Sequence, residues 1–243
     1  MESLQHPSPL VEAINALLGP MGWHIPDYLV FCGLIVLIVL AVGLAIRSTL
    51  SVDKPGTLQI FLEDIVGFVD EQLENVIGHG KGRQFLPICG GIFVFILLAN
   101  LMGQIPGLGS PTSNINVPLG CALTVWLYYH VQGVKAQGIV SYLKHFAAPP
   151  GIPVFLAPIM LPIEVISHLS RVLSLTLRLF GNVFGEHLVV LIIASIVPLV
   201  FPLPIQMLGL IVGPLQAFIF MTLTAIYLSA ATHVEHDEHA EAH

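Results

Sequence analysis

From Tyr28 to Ile46 the chain runs for nineteen residues without a charge, YLVFCGLIVLIVLAVGLAI, and stops at Arg47. A bilayer core takes about 20 apolar residues of helix, so this stretch alone commits the protein to a membrane. Two further runs follow, FLPICGGIFVFILLANLMGQIPG (85–107) and VPLGCALTVWLYYHVQGV (117–134). A fourth, from about Pro158 to Val197, and a fifth, Ile205–Ala231, are apolar with spaced polar residues. Only 9% of the 243 residues are charged. A soluble domain carries roughly 25%, and so few charges cannot clothe a surface that faces water on all sides.

The runs predict an all-α integral membrane protein with about five membrane helices. TLQIFLEDIVGFVDEQLENVIG (57–78) reads differently. Ile60, Phe61, Ile65, Phe68, Val69, Leu73 and Val76 recur at helical spacing, with Glu63, Asp70, Glu71 and Glu74 between them. That predicts an amphipathic helix, too charged to span, lying on the membrane surface or docked on a partner. The expected organisation is an extracytoplasmic segment (1–27), a first membrane helix and cytoplasmic link (28–56), the amphipathic helix (57–84), an upright helical pair (85–134), a second link (135–157), a hairpin (158–232) and an acidic, His-rich tail (233–243).

Orientation follows from the basic residues. Arg47, Lys54, Lys81, Arg83, Lys135 and Lys144 all fall on one side of such a five-span chain, while 105–116 and 198–204 carry no base. The positive-inside rule makes that side cytoplasmic, with the tail inside. MESLQHPSPL has no basic stretch leading into an apolar core, so no cleavable signal is expected. Cys32, Cys89 and Cys121 sit in different apolar runs and read as small apolar fillers. His233, His236 and His239 are spaced for a metal, but in a short acidic tail a solvated role is expected; His130, His145 and His168, near span ends, are expected to be unremarkable.

The stretch from Leu161 to Val197 is 37 residues long. As one helix it would reach about 55 Å against a hydrocarbon core of about 30 Å. It must break, with Gly181-Asn182 the natural place, or lie steeply tilted against a large partner surface. At about 100° per residue, Glu164, Arg171, Ser174, Asn182 and Gly185 fall within about 40° of Arg178, and Glu186 about 80° away. His187 points to the opposite side. Glu164 lies about 21 Å behind Arg178 and Glu186 about 12 Å ahead, so neither pairs with it inside an unbroken helix. A charge at mid-bilayer costs about 2.5–3.5 kcal/mol, and an arginine retained there without a partner in its own helix points to one elsewhere. Arg171 is expected to be structural. GNVFG (181–185) and GLIVG (209–213) are small-xxx-small patterns that let helices approach closely. A secondary transporter would show paired repeats, and an intramembrane hydrolase a nucleophile–base pair or zinc set. No repeat, no such pair and no HExxH is visible.

SLTLRLFGN (174–182), followed by Glu186-His187 and by LQAFIFMTLTAIYLS (215–229), resembles subunit a of the F-type ATP synthase membrane sector. LANLMGQIPG (98–107) and PTSNINVPL (111–119) are similar to the same family's earlier helix end and helix start. The resemblance runs from about residue 57 to 231. It implies a surface helix, upright helices and a long, steeply tilted hairpin cupping a rotating ring of two-helix c subunits. It implies partners in that ring, in the peripheral stalk subunit b, in the rest of the complex and in the lipid bilayer, with no nucleic acid, cofactor or metal, in a bacterial plasma (inner) membrane. Nucleotide chemistry would lie on partner subunits, so the chain itself is expected to be non-catalytic.

On the same resemblance, Arg178 is the fixed charge that faces the ring carboxylate, with Gln216 across from it. Ser174 and Asn182 are polar positions beside it, Glu164 a carboxylate toward one half-channel, and Asn100 and Asn116 polar positions on the upright helices. The chain departs in one place. Many relatives carry a glutamate nine residues after the arginine, where this sequence has His187 preceded by Glu186. A position that can carry histidine on the last helix is Gly209 here. The Glu186/His187 pair is expected to serve the outer half-channel.

Overall fold

The computed structural model describes residues 9–18, 24–47, 50–52, 54–78, 80–105, 108–142, 157–196 and 202–232. Lys144, His145, 198–201 and the tail histidines lie outside them. Among the described residues the long helices follow one another as α1 Pro9–Leu18, α2 Asp27–Arg47, α3 Thr57–Ile77, α4 Leu86–Met102, α5 Asn116–Gln137, α6 Ala157–Ile196 and α7 Pro202–Thr232. Short 3-10 turns at Gly82–Phe85 and Pro111–Ser113 lead into α4 and α5. Among the described residues there is no strand. Gly78 and Gly138 end α3 and α5 at φ 105 and 80, each returning its amide to the carbonyl four residues back. A left-handed backbone there favours glycine over any residue with a Cβ.

One core holds α4, α5, α6 and α7 together with one face of α3. Leu73, Cys89, Ile96, Ala122, Leu179, Ala217, Met221 and Leu228 are fully buried in it. α4 packs along α7, and α5 bridges α6 and α7. α2 stands at the edge. Its Phe31 and Ile35 meet Val11 of α1 and Ala99 and Met102 of α4, while Val36 to Leu40 and Leu44 stay exposed, as a lipid-facing helix requires.

Among the described residues four helices are long and apolar enough to cross a membrane: α2, α4 with its 3-10 lead-in, α6 and α7. α5 forms where the third span is expected, yet it is not among them. Its Tyr128, Tyr129, His130, Gln132 and Gln137 lower its hydropathy, and it is held between α6 and α7. The protein is thus an all-helical, multi-pass membrane protein.

Three elements refine the sequence expectation. α3 is amphipathic as expected, but its C-terminal half docks within the protein, with Val69, Leu73 and Ile77 buried and Phe68 against Phe93 and Phe218. α1 gives the N-terminal segment (1–27) an element that the sequence reading did not assign, and the Asn15 amide clamps it to the backbone of Ile25 before α2. α6 does not break at Gly181-Asn182. It runs for 40 residues with Pro162 near its start, about 60 Å, or twice the hydrocarbon core.

Candidate ion path

α6 turns two faces in different directions. Val172, Leu175, Thr176, Leu179 and Val183 recur at the three- and four-residue spacing of one helical face and are buried. Leu173, Ser174, Leu177, Arg178, Gly181 and Asn182 are exposed. Among the described residues Arg178 makes no ion pair; the one present joins His168 to Glu164. A Cβ added at Gly181 or Gly185 would meet nothing within 4 Å. Arg178 therefore lies on a face of α6 that no described element covers.

Next to it a narrow cleft opens between three elements. Asn100 and Gln104 come from the end of α4, Asn182, Val183 and Glu186 from α6, and Val212, Gly213 and Gln216 from α7. The Asn182 amide donates to Gln216 Oε1 at 2.9 Å. Gln104 Nε2 donates to Glu186 Oε1 at 2.8 Å. Gln216 is buried, and its amide nitrogen has no hydrogen-bond partner among the described residues. Gly209 lies directly beneath Glu186, and a Cβ there would fall on the carboxylate. The departure noted in the sequence thus has a geometric form: the acid on α6 fills space that a side chain at 209 on α7 would take. Of the two small-residue patterns, the one on α7 serves this close approach. Gly209 receives Glu186, and Gly213 sits against Asn100 with 3.2 Å from its would-be Cβ to Asn100 Cβ.

Asn100 is also a clamp. It donates to the Gly213 carbonyl at 3.1 Å and accepts from Thr112 Oγ1 at 2.7 Å. Ser110 continues the network to Thr112 at 2.7 Å and donates to the Ala99 carbonyl at 3.0 Å. The other expected site residues are distributed differently. His187 is half-buried and does not line the cleft. Asn116 is exposed and borders a separate groove with Tyr28, Cys32 and Cys121, between α2, α4 and α5. Ser174 is exposed on the Arg178 face. Glu164 lies toward the opposite end of α6 and pairs with His168 at 3.3 Å.

Around His168 the structure differs from expectation. His168 and His130 belong to an aromatic and polar cluster where α5, α6 and α7 meet. Tyr129 hydroxyl and His168 Nδ1 are 2.6 Å apart, as are His130 Nδ1 and Tyr142 hydroxyl. The two imidazole rings lie 4.8 Å apart, centroid to centroid. Arg171 holds its guanidinium 5.0 Å over the Tyr227 ring, a cation–π contact in keeping with its expected structural role. Tyr142 follows α5, and burial pushes its phenol above the usual range, so it keeps its proton at neutral pH. Among the described residues no three His, Cys, Asp or Glu side chains gather as a metal site requires.

Gln104 and Thr112 escaped the sequence reading because Gln104 stands at the end of an apolar run read as a span and Thr112 lies in a turn-rich loop before α5. The LANLMGQIPG run does carry Gln104 one turn after Asn100, and that i, i+4 amide spacing was the available signal.

A family model described as ATP synthase A chain matches residues 28–229. The chain is 42% identical over 234 residues to ATP synthase subunit a of Solibacter usitatus, covering 93% of this chain and 98% of that one. It is 42% identical over 213 residues to ATP synthase subunit a of Koribacter versatilis, 88% and 85% of the two chains. ATP synthase subunit a 3 of Pelobacter propionicus is 41% identical over 236 residues, 95% and 99% of the two chains.

Proposed function

This chain belongs to the ATP synthase A chain family, and from that membership we propose that it is the stator subunit that passes protons to and from a rotating ring of c subunits. The observation that carries the reading is the placement of Arg178: a cation on an apolar helix, exposed, without an ion pair among the described residues, on a face that no described element covers. Its counter-charge then belongs to the ring.

A ring carboxylate crosses lipid protonated, because an ionised acid there is costly. Opposite Arg178 it ionises and exchanges its proton. Guanidinium stays protonated throughout, so Arg178 stabilises the carboxylate without carrying a proton and bars a direct leak between two half-channels. One proton falling through about 100 mV releases roughly 2.3 kcal/mol, and the barrier routes that energy into rotation. The cleft of Asn100, Gln104, Asn182, Glu186 and Gln216 forms the outer half-channel, with Gln216 offering a buried donor to water. Glu164 and Ser174 belong to the inner one. His187 and Asn116 border the outer path from beyond this cleft. The hairpin of α6 and α7 leans along the ring, which gives a 60 Å helix its long partner surface. The c ring and peripheral stalk subunit b assemble with it in a bacterial inner membrane, C-terminus inside, and nucleotide chemistry stays on other subunits.

Arg178→Ala, in membranes holding the assembled complex, tests this reading. ATP-driven acidification, ATP synthesis and passive proton leak are followed, with assembly checked by co-purification of the small ring subunit. Normal assembly with loss of coupled transport is expected. Coupled pumping near wild type sinks the proposal.

A further inference from the structure

A chain of three protonatable groups crosses from α6 to α5 at the inner end of the hairpin, outside the outer cleft. Glu164 Oε1 lies 3.3 Å from His168 Nε2, with the glutamate side chain 33% exposed and the histidine 10%. His168 Nδ1 lies 2.6 Å from the hydroxyl of Tyr129, which is 1% exposed. Both imidazole nitrogens are engaged, one by an acid that reaches the surface and one by a phenol locked in the core. Glu164 shares the face of Arg178, about 21 Å away along α6.

We propose that Glu164, His168 and Tyr129 form a single-proton loading site on the inner half-channel, an inference that rests on the ion-translocating reading above. The hydrogen bonds allow two protonation states on one set of heavy atoms. In the empty state Tyr129 donates O–H to Nδ1, and Nε2–H donates to ionised Glu164. In the loaded state Glu164 carries a proton and donates O–H to Nε2. The Nε2 proton has passed to Glu164 and the Tyr129 hydroxyl proton to Nδ1, which donates back to the phenol oxygen, while the incoming proton restores the hydroxyl, turned away from the ring. The two states differ by one proton. The imidazole is neutral in both, with only its tautomer changed.

A neutral ring suits the surroundings. Facing the site are Arg171 from α6, His130 from α5, Tyr227 from α7 and Tyr142 after α5. An imidazolium would lie against the His130 ring at 4.8 Å and share the cluster with the Arg171 guanidinium. A carboxylate that takes the proton avoids adding a second cation to a low-dielectric interior.

The test uses His168→Gln, His168→Leu and Tyr129→Phe in the assembled complex. ATP-driven acidification and ATP synthesis are normalised to co-purified ring subunit. An amide can accept from Tyr129 and donate to Glu164, so it preserves the architecture but cannot shuttle a proton. The proposal expects both His168→Gln and His168→Leu to lose at least about 100-fold in rate, the low end of positioned proton transfer. Tyr129→Phe follows them, and Glu164→Gln added to His168→Gln produces no further loss. His168→Gln at wild-type rate with His168→Leu impaired makes the cluster a packing device and overturns the proposal. If His168→Gln does not assemble, Tyr129→Phe decides, and a wild-type rate there also overturns it. Arg178→Ala run in parallel separates the failures. Loss of coupling there with a normal His168→Gln sinks only the loading site, whereas coupled pumping in Arg178→Ala sinks the reading beneath it.

Discussion

Gly209→Ala isolates the outer carboxylate without touching it. The added Cβ falls on the Glu186 carboxyl group, which is the far end of a flexible side chain, so Glu186 rotates away and the helix stays whole. What is lost is the bond from Gln104 Nε2 at 2.8 Å. A hydrogen bond to a charged group contributes about 1.5–3 kcal/mol net, and each 1.36 kcal/mol is about tenfold in rate. If this placement governs proton entry, transport falls by roughly one to two orders of magnitude. Ala in place of Gly inside a helix gains about 0.8–1 kcal/mol, which offsets only part of the lost bond, so the net cost in stability is about 0.5–2 kcal/mol. Co-purification with the ring should hold and detergent thermostability should fall only modestly, while ATP-driven acidification falls much further. Gln104→Leu removes the same bond from the other side, so the double variant should pump no worse than the slower single one. Gly181→Ala, whose Cβ meets nothing within 4 Å among the described residues, gauges contact with the ring separately. Wild-type pumping in Gly209→Ala, with assembly intact, would refute the assignment of Glu186 to the path.

Two further substitutions test the scaffold. Asn100→Leu removes the donor to Gly213 and the acceptor for Thr112, both buried; a loss of about 1–3 kcal/mol is expected, read as a lower midpoint of thermal unfolding in detergent, with Thr112→Val milder because it leaves the Gly213 bond in place. Leu73→Ala empties a fully buried position where α3 enters the core and should cost about 2–5 kcal/mol, measured the same way.

Periodicity explains what was legible. The α2 span reads directly because nineteen uncharged residues admit one interpretation, and the Arg178 stripe reads directly because helix geometry fixes which side chains share a face. α6 could be sized but not settled, since a break and a tilt satisfy the same length mismatch. Contacts between helices were closed to such reasoning: Gln104 and Glu186 are 82 residues apart, and Tyr129 and His168 are 39 apart. Near the ends of spans a histidine carries no local mark of its partners, so the α5–α6 cluster needed the fold. α1 is ten residues long, too short to declare itself by pattern, and it holds through Val11 and the Asn15 clamp.

The chemistry of the two ends differs in a way that bears on the proposed proton path. In the outer cleft the carboxylate is surrounded by amides: Gln104 on Glu186, Asn182 on Gln216, and Asn100 beside them. An amide donates and accepts but never ionises, so it can orient water and an acid without holding a proton itself. Only Glu186 in that cleft can be loaded. At the inner end Glu164 meets an imidazole that in turn meets a phenol, groups that exchange protons between their atoms. Between the two carboxylates stands Arg178, about 12 Å from one and 21 Å from the other along α6, too far for either to neutralise it by direct contact. A nearer carboxylate on this chain would pair with the guanidinium permanently and take the position of the ring's own acid. The spacing of acids along α6 is therefore as much a requirement of the proposed exchange as the arginine itself. Moving an acid into reach of Arg178, as Asn182→Asp would, should slow coupled transport while leaving assembly intact.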